Sequence, residues 1–291
     1  MNKKIANFLM VLLVLTSIPG CSNNTDSNEP LSQNNVSQSE SGNSMAQKAD
    51  VNEGVKNNSS HHSFDSSMYH AAASYPTINN TDNKVMWKEG KVAVTAAIAK
   101  AEGEQASESY TVIRSITVAS SNGNHTIELD KKPLGIHSVS LSNNNQLAVH
   151  VRDHEGSRLI ILNLLSGKQI VLNDIQNKAI SSEKIDSYNW SPDGNTIAFG
   201  TGDIGSSYIA LYDTEGNRYS ELSKNDYRLI PSIVWHKDGQ GFDFLSMPDD
   251  AENPAVLYRY SLKDNSIRKV IDNLTEAEQA SLMKYQPQKI Q

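Results

Sequence analysis

Short runs of alternating apolar and polar residues, separated by turns rich in Gly, Asn and Asp, fill the chain from about residue 84 to residue 272. Alternation with a period of two predicts strands, and Asp-Gly pairs supply the positive φ that tight hairpin turns require. Residues 159–162 and 208–212 are almost continuously apolar, which predicts strands buried on both faces of a sheet. The pattern therefore predicts an all-β fold of repeated hairpins.

The hairpins recur as four similar units. Each unit opens with a strand, a polar turn and a second strand, and the first strands carry Trp87, Leu141, Trp190 and Trp235, at spacings of 54, 49 and 45 residues. Each unit closes with a second hairpin, whose turns hold Gly123, Gly167, Gly216 and Asn265. Four short strands per unit predict a β-propeller-like array of about four four-stranded blades over residues 81–273, with the tryptophans packed between neighbouring blades. A different all-β fold built from repeated hairpins, such as a sandwich, is the alternative.

One unit carries a family resemblance. The run Trp190-Ser191-Pro192-Asp193-Gly194, followed by Ile197-Ala198-Phe199, resembles the WD40-like PD40 repeat of TolB-type propellers. The unit at Trp235 is similar, and the two earlier units are less so. The resemblance implies a TolB-like propeller that makes protein contacts in the cell envelope. Since such propellers usually have six blades, we expect either that four blades close or that the stack stays open and pairs with another copy.

The first residues have the features of an export signal. Lys3 and Lys4 precede an apolar stretch at residues 8–15, and Ile18-Pro19-Gly20 precedes the only cysteine, Cys21. This segment resembles the lipobox of bacterial lipoproteins, although Pro19 departs from the pattern. The resemblance implies a lipoprotein signal peptide at residues 1–20 and acylation of Cys21, for example with palmitate. The chain would then be extracytoplasmic and lipid-anchored to the cell membrane, or to the outer membrane of a diderm bacterium. The alternatives are an ordinary secretory signal and an uncleaved anchor.

The segment after the cysteine predicts a tether. Residues 22–60 include nine Ser and nine Asn and no aromatic residue, so they bury too little apolar surface to offset the entropy of ordering. We expect a disordered tether over residues 21–80. His61, His62 and His70 lie in it without carboxylate partners or a rigid frame, and we therefore predict no metal site there.

The C-terminal residues 274–291 predict a short helix and a tail. Thr275 and Glu278 have the spacing of a capping box, and Ala280, Leu282 and Met283 share one face. We expect this helix to pack on the rim or on an end blade and to cover part of an open stack.

The composition of the chain argues against several classes of protein. The 291 residues carry a net charge of −7, which argues against a nucleic-acid partner. A single cysteine excludes a disulfide framework and a cysteine-rich zinc site. No apolar run in the sequence reaches the roughly 18 residues that span a bilayer.

The sequence offers little catalytic chemistry. It has no Gly-x-Ser-x-Gly elbow, no phosphate-binding Gly-rich loop and no His-Glu-x-x-His motif. Two groups of side chains could bind a cation: His150, Asp153 and His154 at a hairpin tip, and Asp249, Asp250 and Glu252 in a loop. Solvated turns explain both groups more simply, and Asp193 and Asp238 fit turn positions. We predict no catalytic, cofactor-binding or metal-binding residue.

Two functions remain open at this stage. The first is a non-catalytic module that binds an envelope protein or peptide, for which the Ala/Glu-rich insertion at residues 99–109 offers a variable contact loop. The second is an extracytoplasmic enzyme, a lyase or hydrolase acting on envelope or extracellular glycans. The enzyme would need His, Arg or Tyr side chains converging from several blades. We favour the binding module.

Overall fold

Extended strands joined by tight turns make up most of the chain that the structure describes. The computed structural model describes residues 64–71, 75–101, 110–154, 156–175, 184–203, 205–222, 227–248 and 253–290. They belong to a compact unit of residues 59–291. The predicted signal peptide, Cys21 and the predicted tether as far as residue 63 lie outside the described residues.

Four antiparallel sheets follow one another along the chain, and we call them blades 1 to 4. Blade 1 consists of β1 (Thr77–Thr81), β2 (Lys84–Glu89), β3 (Val92–Lys100), β4 (Thr111–Ser120) and β5 (Gly123–Ile127). Blade 2 consists of β6 (Gly135–Leu141), β7 (Gln146–Arg152), β8 (Ser157–Asn163) and β9 (Gln169–Val171). Blade 3 consists of β10 (Lys184–Trp190), β11 (Thr196–Asp203), β12 (Ser206–Asp213) and β13 (Arg218–Glu221). Blade 4 consists of β14 (Leu229–Trp235), β15 (Gly241–Met247), β16 (Ala255–Ser261) and β17 (Ser266–Leu274).

The predicted four-unit array is confirmed, with one addition. Blade 1 has a fifth strand, β1, which pairs with β2 from Thr77↔Lys88 to Thr81↔Lys84. Strand structure thus begins inside the span predicted as tether, and a 3₁₀ turn at Ser66–Met68 precedes it. Two α-helices complete the described elements, α1 (Leu172–Ile175) and α2 (Glu276–Met283). None of the helices in the described ranges is long and apolar enough to cross a membrane.

The blades stack face to face, and each interface is an apolar cluster. In β8, Ile160 and Leu162 join the cluster shared with blade 1. Leu159 and Ile161 point the other way and join the cluster shared with blade 3. Burying each such side chain contributes about 1.5–3 kcal/mol. The alternation along one strand therefore fills two interfaces at once, as the apolar run predicted.

The tryptophans occupy the positions that the repeats predicted. Trp87, Trp190 and Trp235 are only 1%, 6% and 1% exposed, and each belongs to a cluster between neighbouring blades. The hairpin turns of blades 2 and 3 also touch, since Asn143 Nδ2 donates to Pro192 O at 2.9 Å. Gly194 has a positive φ of 75°, and a Cβ there would lie 2.8 Å from the Asn143 backbone nitrogen. This turn therefore requires glycine both for its φ and for the close approach.

Blade 1 presents one polar face to solvent. Along β2, Val85 and Trp87 are buried, whereas Lys84, Met86 and Lys88 are exposed. The same alternation continues in β4. A sheet with one face on the core and one face in water produces this pattern.

Blade 4 ends the stack differently, with its outer face covered by the chain termini of the described unit. Leu282 of α2 and Tyr69 pack in one cluster with Val234 and Leu245 of blade 4. The predicted capping box is present, because the Thr275 side chain accepts from the Glu278 N–H and the Glu278 carboxylate accepts from the Thr275 N–H. In the described part of the chain, the array is thus not closed by packing of blade 4 on blade 1.

Candidate functional site: an axial groove

The first strands of blades 2, 3 and 4 are edge strands of their sheets. One segment of the chain contacts all three of these strands, so we call this side of the array its axis. The residues after α2 run across these edges, and we call residues 284–290 the strap. Three hydrogen bonds hold the strap to β14, β10 and β6 in turn: Gln286 Nε2 to Ile233 O, Asn189 Nδ2 to Tyr285 O, and Ile290 N to His137 O. The strap therefore satisfies backbone carbonyls at two sheet edges, those of β14 and β6, and a side chain of the third edge strand, β10, binds a backbone carbonyl of the strap.

The strap is anchored at its ends. Leu282, just before it, is fully buried on blade 4, and Ile290 is 6% exposed in the cluster between blades 1 and 2. Between these anchors, residues 285–287 are half-buried and residues 284, 288 and 289 are exposed. The middle of the strap thus lies over the axis without entering the core.

A groove of about 720 Å³ lies between the strap and the ends of β6 and β10. Residues 139–143 and 189–191 line one side, and strap residues line another. His70, Tyr75 and Glu89 line the remaining side. Burial lowers the pKa of His70, which favours the neutral form of its imidazole. The groove combines aromatic rings, amides and hydroxyls with the charged side chains Glu89, Lys284 and Lys289.

The floor of the groove is held by internal hydrogen bonds. Trp190 Nε1 donates to Ser140 Oγ at 3.1 Å. Asn189 Oδ1 accepts from the Trp190 N–H at 2.9 Å, while its amide nitrogen binds Ile233 O and Tyr285 O. At the rim, Tyr75 is 80% exposed. The groove therefore has a fixed floor and an accessible aromatic rim, which suits a preformed binding site.

Four stacked antiparallel sheets, with the edge strands β6 and β10 of two of them lining one groove, decide the architecture. The protein is a β-propeller-like array. No family model matches this propeller, and none of the curated proteins matches it either.

The solved structures that match this chain have little sequence identity to it. TolB from Acinetobacter baumannii is 18% identical over 59% of this chain, with a TM-score of 0.37, and the match spans only 40% of that TolB. The β-propeller domain of the trilobed protease from Pyrococcus furiosus is 11% identical, with 69% of this chain and 59% of that chain covered and a TM-score of 0.42. An oligogalacturonate lyase in complex with manganese is 10% identical, with 71% and 65% covered and a TM-score of 0.41.

The histidines at the tip of blade 2 do not converge. His150 is buried, and burial together with the neighbouring His137 lowers its pKa to about 3. Asp153 is bound by the Arg158 guanidinium, and the His154 ring packs edge-on against Tyr110 at 5.1 Å. No group of three or more His, Cys, Asp or Glu side chains in the described ranges could hold a metal ion.

The turn aspartates have the local role predicted for them. Asp193 accepts from the Asn195 N–H at 3.0 Å, and Asp238 accepts from the Gln240 N–H at 2.9 Å. The acidic loop at residues 249–252, residues 102–109 of the insertion, and Cys21 lie outside the described residues.

Sequence reasoning missed a buried ionic network on blade 4. Asp243 is fully buried and accepts from Tyr69 Oη at 2.7 Å and from Arg259 Nε and Nη2 at 2.7 and 2.8 Å. His236 Nε2 lies 2.9 Å from Asp243 Oδ1. Burial raises the pKa of Asp243, but the hydrogen bonds from Arg259 and His236 outweigh it and hold the pKa below 3.8. A charged residue between Phe242 and Phe244 was the available sequence signal.

Proposed function

We propose that this protein is an extracytoplasmic lipoprotein whose propeller is a non-catalytic module, and that the module binds an extended peptide segment of a partner protein in the axial groove. The observation that carries the proposal is the seating of the strap across the edge strands. Two of its bonds use a side-chain amide against a backbone carbonyl, and a third joins two backbone groups. Bonds to backbone groups suit a polypeptide ligand of varied sequence.

The size and surface of the groove support the same ligand class. A volume of about 720 Å³ lies within the range of about 300–1,000 Å³ that ligand sites occupy. The accessible Tyr75 ring offers apolar contact with a polar tip, and the half-buried Tyr285 ring, whose hydroxyl donates to Ser66 O, adds apolar surface. The floor bonds keep the site in shape before a ligand arrives, which lowers the entropic cost of binding.

Attachment to a membrane is the second part of the proposal. The lipobox-like residues before Cys21 support lipid modification of its thiol. Two or more acyl chains anchor a protein stably, whereas one chain binds only marginally. The propeller would then meet partners at the surface of the envelope membrane.

Photo-crosslinking from the groove tests the binding role. We would place p-benzoylphenylalanine at Tyr75, which is on the rim and 80% exposed, and in a control at Leu165, which is 62% exposed in a turn of blade 2 outside the groove. In intact cells, Tyr75 should yield a discrete adduct with one envelope protein, and Leu165 should not. Identical adducts from both positions, or none, would contradict the groove as the binding site. Release of sugars from envelope glycans by the purified protein would contradict the non-catalytic role.

A separate experiment tests the anchor. Cells fed radiolabelled palmitate should label the wild-type chain and not Cys21→Ala. In a Triton X-114 phase separation, the variant should move from the detergent phase to the aqueous phase. Equal labelling of the two proteins would show that Cys21 is not the acylated residue.

A further inference from the structure

Two of the four blades have an inner edge that a segment of the chain itself extends. In blade 1, β1 pairs antiparallel with β2 along its whole length. In blade 4, Tyr69 forms an antiparallel bridge with His236 at the end of β14. Two backbone hydrogen bonds flank this bridge, from the His70 N–H to Trp235 O at 2.8 Å and from the Lys237 N–H to Met68 O at 2.9 Å. The inner edge of a blade can therefore take an extended segment as an additional strand.

The repeats show which other blade has the same pair of backbone groups. They place Trp235 and Lys237 of blade 4 in register with Leu141 and Asn143 of blade 2. In blade 3, the residue in register with Lys237 is Pro192, which has no N–H to donate. Blade 2 thus has both the carbonyl and the N–H that hold the added segment on blade 4, whereas blade 3 lacks the donor.

The end of β6 in blade 2 is an unpaired edge in the described part of the chain. The Ser142 N–H donates to Gln146 O at 2.8 Å, so the alternation of the ladder turns the Leu141 carbonyl away from β7. None of the described residues accepts a hydrogen bond from the Asn143 N–H. The strap forms its bridge with β6 at Ser138, before Leu141 in the strand. Residues 141–143 line the axial groove, so a ligand in the groove meets this edge.

With the axial groove as a peptide site, as proposed above, we infer that a partner peptide binds by adding an antiparallel strand to the end of β6. The peptide donates a backbone N–H to Leu141 O and accepts a hydrogen bond from the Asn143 N–H, as residues 68–70 do on blade 4. Main-chain bonds of this kind supply affinity, and the space beside the strand selects the side chains.

The packing of blade 3 limits the size of the central peptide residue. On blade 4, the corresponding residue is Tyr69, whose ring lies on the outer face and whose Oη donates to Asp243. On blade 2, the same face packs against blade 3, where Trp190 Nε1 donates to Ser140 Oγ at 3.1 Å. Ser142 shares this face with Ser140, because side chains alternate along a strand. A small residue opposite Ser142, such as Gly, Ala or Ser, fits beside the Trp190 ring.

Removal of the Asn143 N–H tests the added strand. Asn143→Pro removes this donor and copies the proline that blade 3 has at Pro192. Asn143→Ala is the matched variant, since both substitutions remove the side-chain bond to Pro192 O but alanine keeps the N–H. With p-benzoylphenylalanine at Tyr75 in intact cells, Asn143→Pro should give about three- to tenfold less adduct than Asn143→Ala, the loss expected for one backbone hydrogen bond.

Hydrogen exchange provides a readout without any substitution in β6. In the purified adduct formed through Tyr75, the Asn143 amide should exchange about tenfold more slowly than in the free protein, because it becomes hydrogen-bonded. The Gln240 amide in the turn of blade 4 already donates to Asp238 and should exchange at the same rate in both. This measurement decides alone if urea unfolding shows Asn143→Pro to be less stable than Asn143→Ala.

Random heptapeptides displayed on phage test the size of the central residue. Selection on the purified full chain should enrich Gly, Ala or Ser at one fixed position. Enrichment of large side chains at every position would refute the small central residue, and so would failure to enrich any peptide.

The outcomes separate this inference from the proposed function. Equal adduct yields from the two stable Asn143 variants, or unchanged exchange at the Asn143 amide in the adduct, would refute the added strand and leave the groove as the binding site. Absence of a Tyr75 adduct in the protein with native Asn143 would refute the proposed function itself.

Discussion

The charge of Asp243 is fully buried, and its partners should dominate the stability of blade 4. Arg259→Met removes the guanidinium that binds both carboxylate oxygens and keeps an apolar stem in its place. A buried ion that loses its partner costs about 3–5 kcal/mol. Tyr69 and His236 still bind the carboxylate, and Arg259 is 22% exposed. We therefore expect a loss near the lower limit, about 3 kcal/mol.

A second arginine of the same chain provides the matched control. Arg218 binds Asp213 through Nε and Nη2, the nearer contact being 2.7 Å, but this pair is largely exposed, with the Arg218 side chain at 77%. Surface ion pairs contribute about 0–1 kcal/mol. Arg218→Met should thus leave the free energy of unfolding nearly unchanged. Both pairs join an arginine to an aspartate through Nε and Nη2, although Arg218 binds one carboxylate oxygen and Arg259 binds both, so burial is the main difference between them.

Urea unfolding followed by tryptophan fluorescence measures both variants. Trp87, Trp190 and Trp235 lie in three different interfaces between blades, so their emission reports the whole stack. Since the folded pKa of Asp243 lies below 3.8, its stabilising effect is present above pH 3.8 and is lost as the pH falls through the folded pKa. The stabilising effect of the wild-type carboxylate should therefore stay constant from pH 5 to pH 8. Equal, small deficits in the two arginine variants would refute the stabilising role of the network.

Three further predictions concern stability in the same urea assay. Burial holds the pKa of His150 at about 3 in the folded protein, below its ordinary value of 6.5. The unfolded chain therefore binds a proton below pH 6.5 that the folded protein does not, and His150→Leu should remove this acid destabilisation, up to about 1.4 kcal/mol per pH unit. Parallel plots of unfolding free energy against pH for the two proteins would contradict this. In Gly194→Ala the new Cβ would clash with the Asn143 backbone nitrogen, whereas Gly90 also has a left-handed φ but has open space around it. Gly194→Ala should therefore lower the free energy of unfolding by about 1–2 kcal/mol more than Gly90→Ala. Equal losses of stability in the two variants would show that the clash with Asn143 does not contribute. Leu282→Ala should lower the free energy of unfolding by about 2–5 kcal/mol. It should also expose the apolar outer face of blade 4, which increased binding of the dye ANS would detect. An ANS signal equal to that of the wild type would show that α2 does not cover that face.

The repeating part of the fold was predictable because its signal is local. Residues 159–162 alternate between two interfaces, and a continuous apolar run of strand length predicts burial on both faces without any knowledge of the partner strands. The capping box of α2 is equally local, since Thr275 and Glu278 are three residues apart. Turn glycines and aspartates act on their own backbone, so their roles followed from the sequence as well.

The contacts that build the candidate site were not predictable in this way. Tyr69 and Asp243 are separated by 174 residues, and Asn189 meets Tyr285 O across 96 residues. Neither pair belongs to a periodic pattern, because each joins a blade to a segment outside the repeats. The bonding of the strap depends on where the blades place their edge strands, which composition and spacing do not determine.

An open stack of blades has two end faces and several sheet edges to protect from water and from other chains. The outer face of blade 1 carries exposed charged residues such as Lys84 and Lys88, while Trp87 is buried on the inner face. Blade 4 has an apolar outer face instead and is covered by α2 and Tyr69. The inner edges are covered by the strap, which is buried only where it ends. A segment buried along its whole length would stay bound to the blades and leave no surface for a ligand. The middle of the strap is half-exposed, so a ligand can reach the axis beside it, and this makes a binding role at the axis physically reasonable.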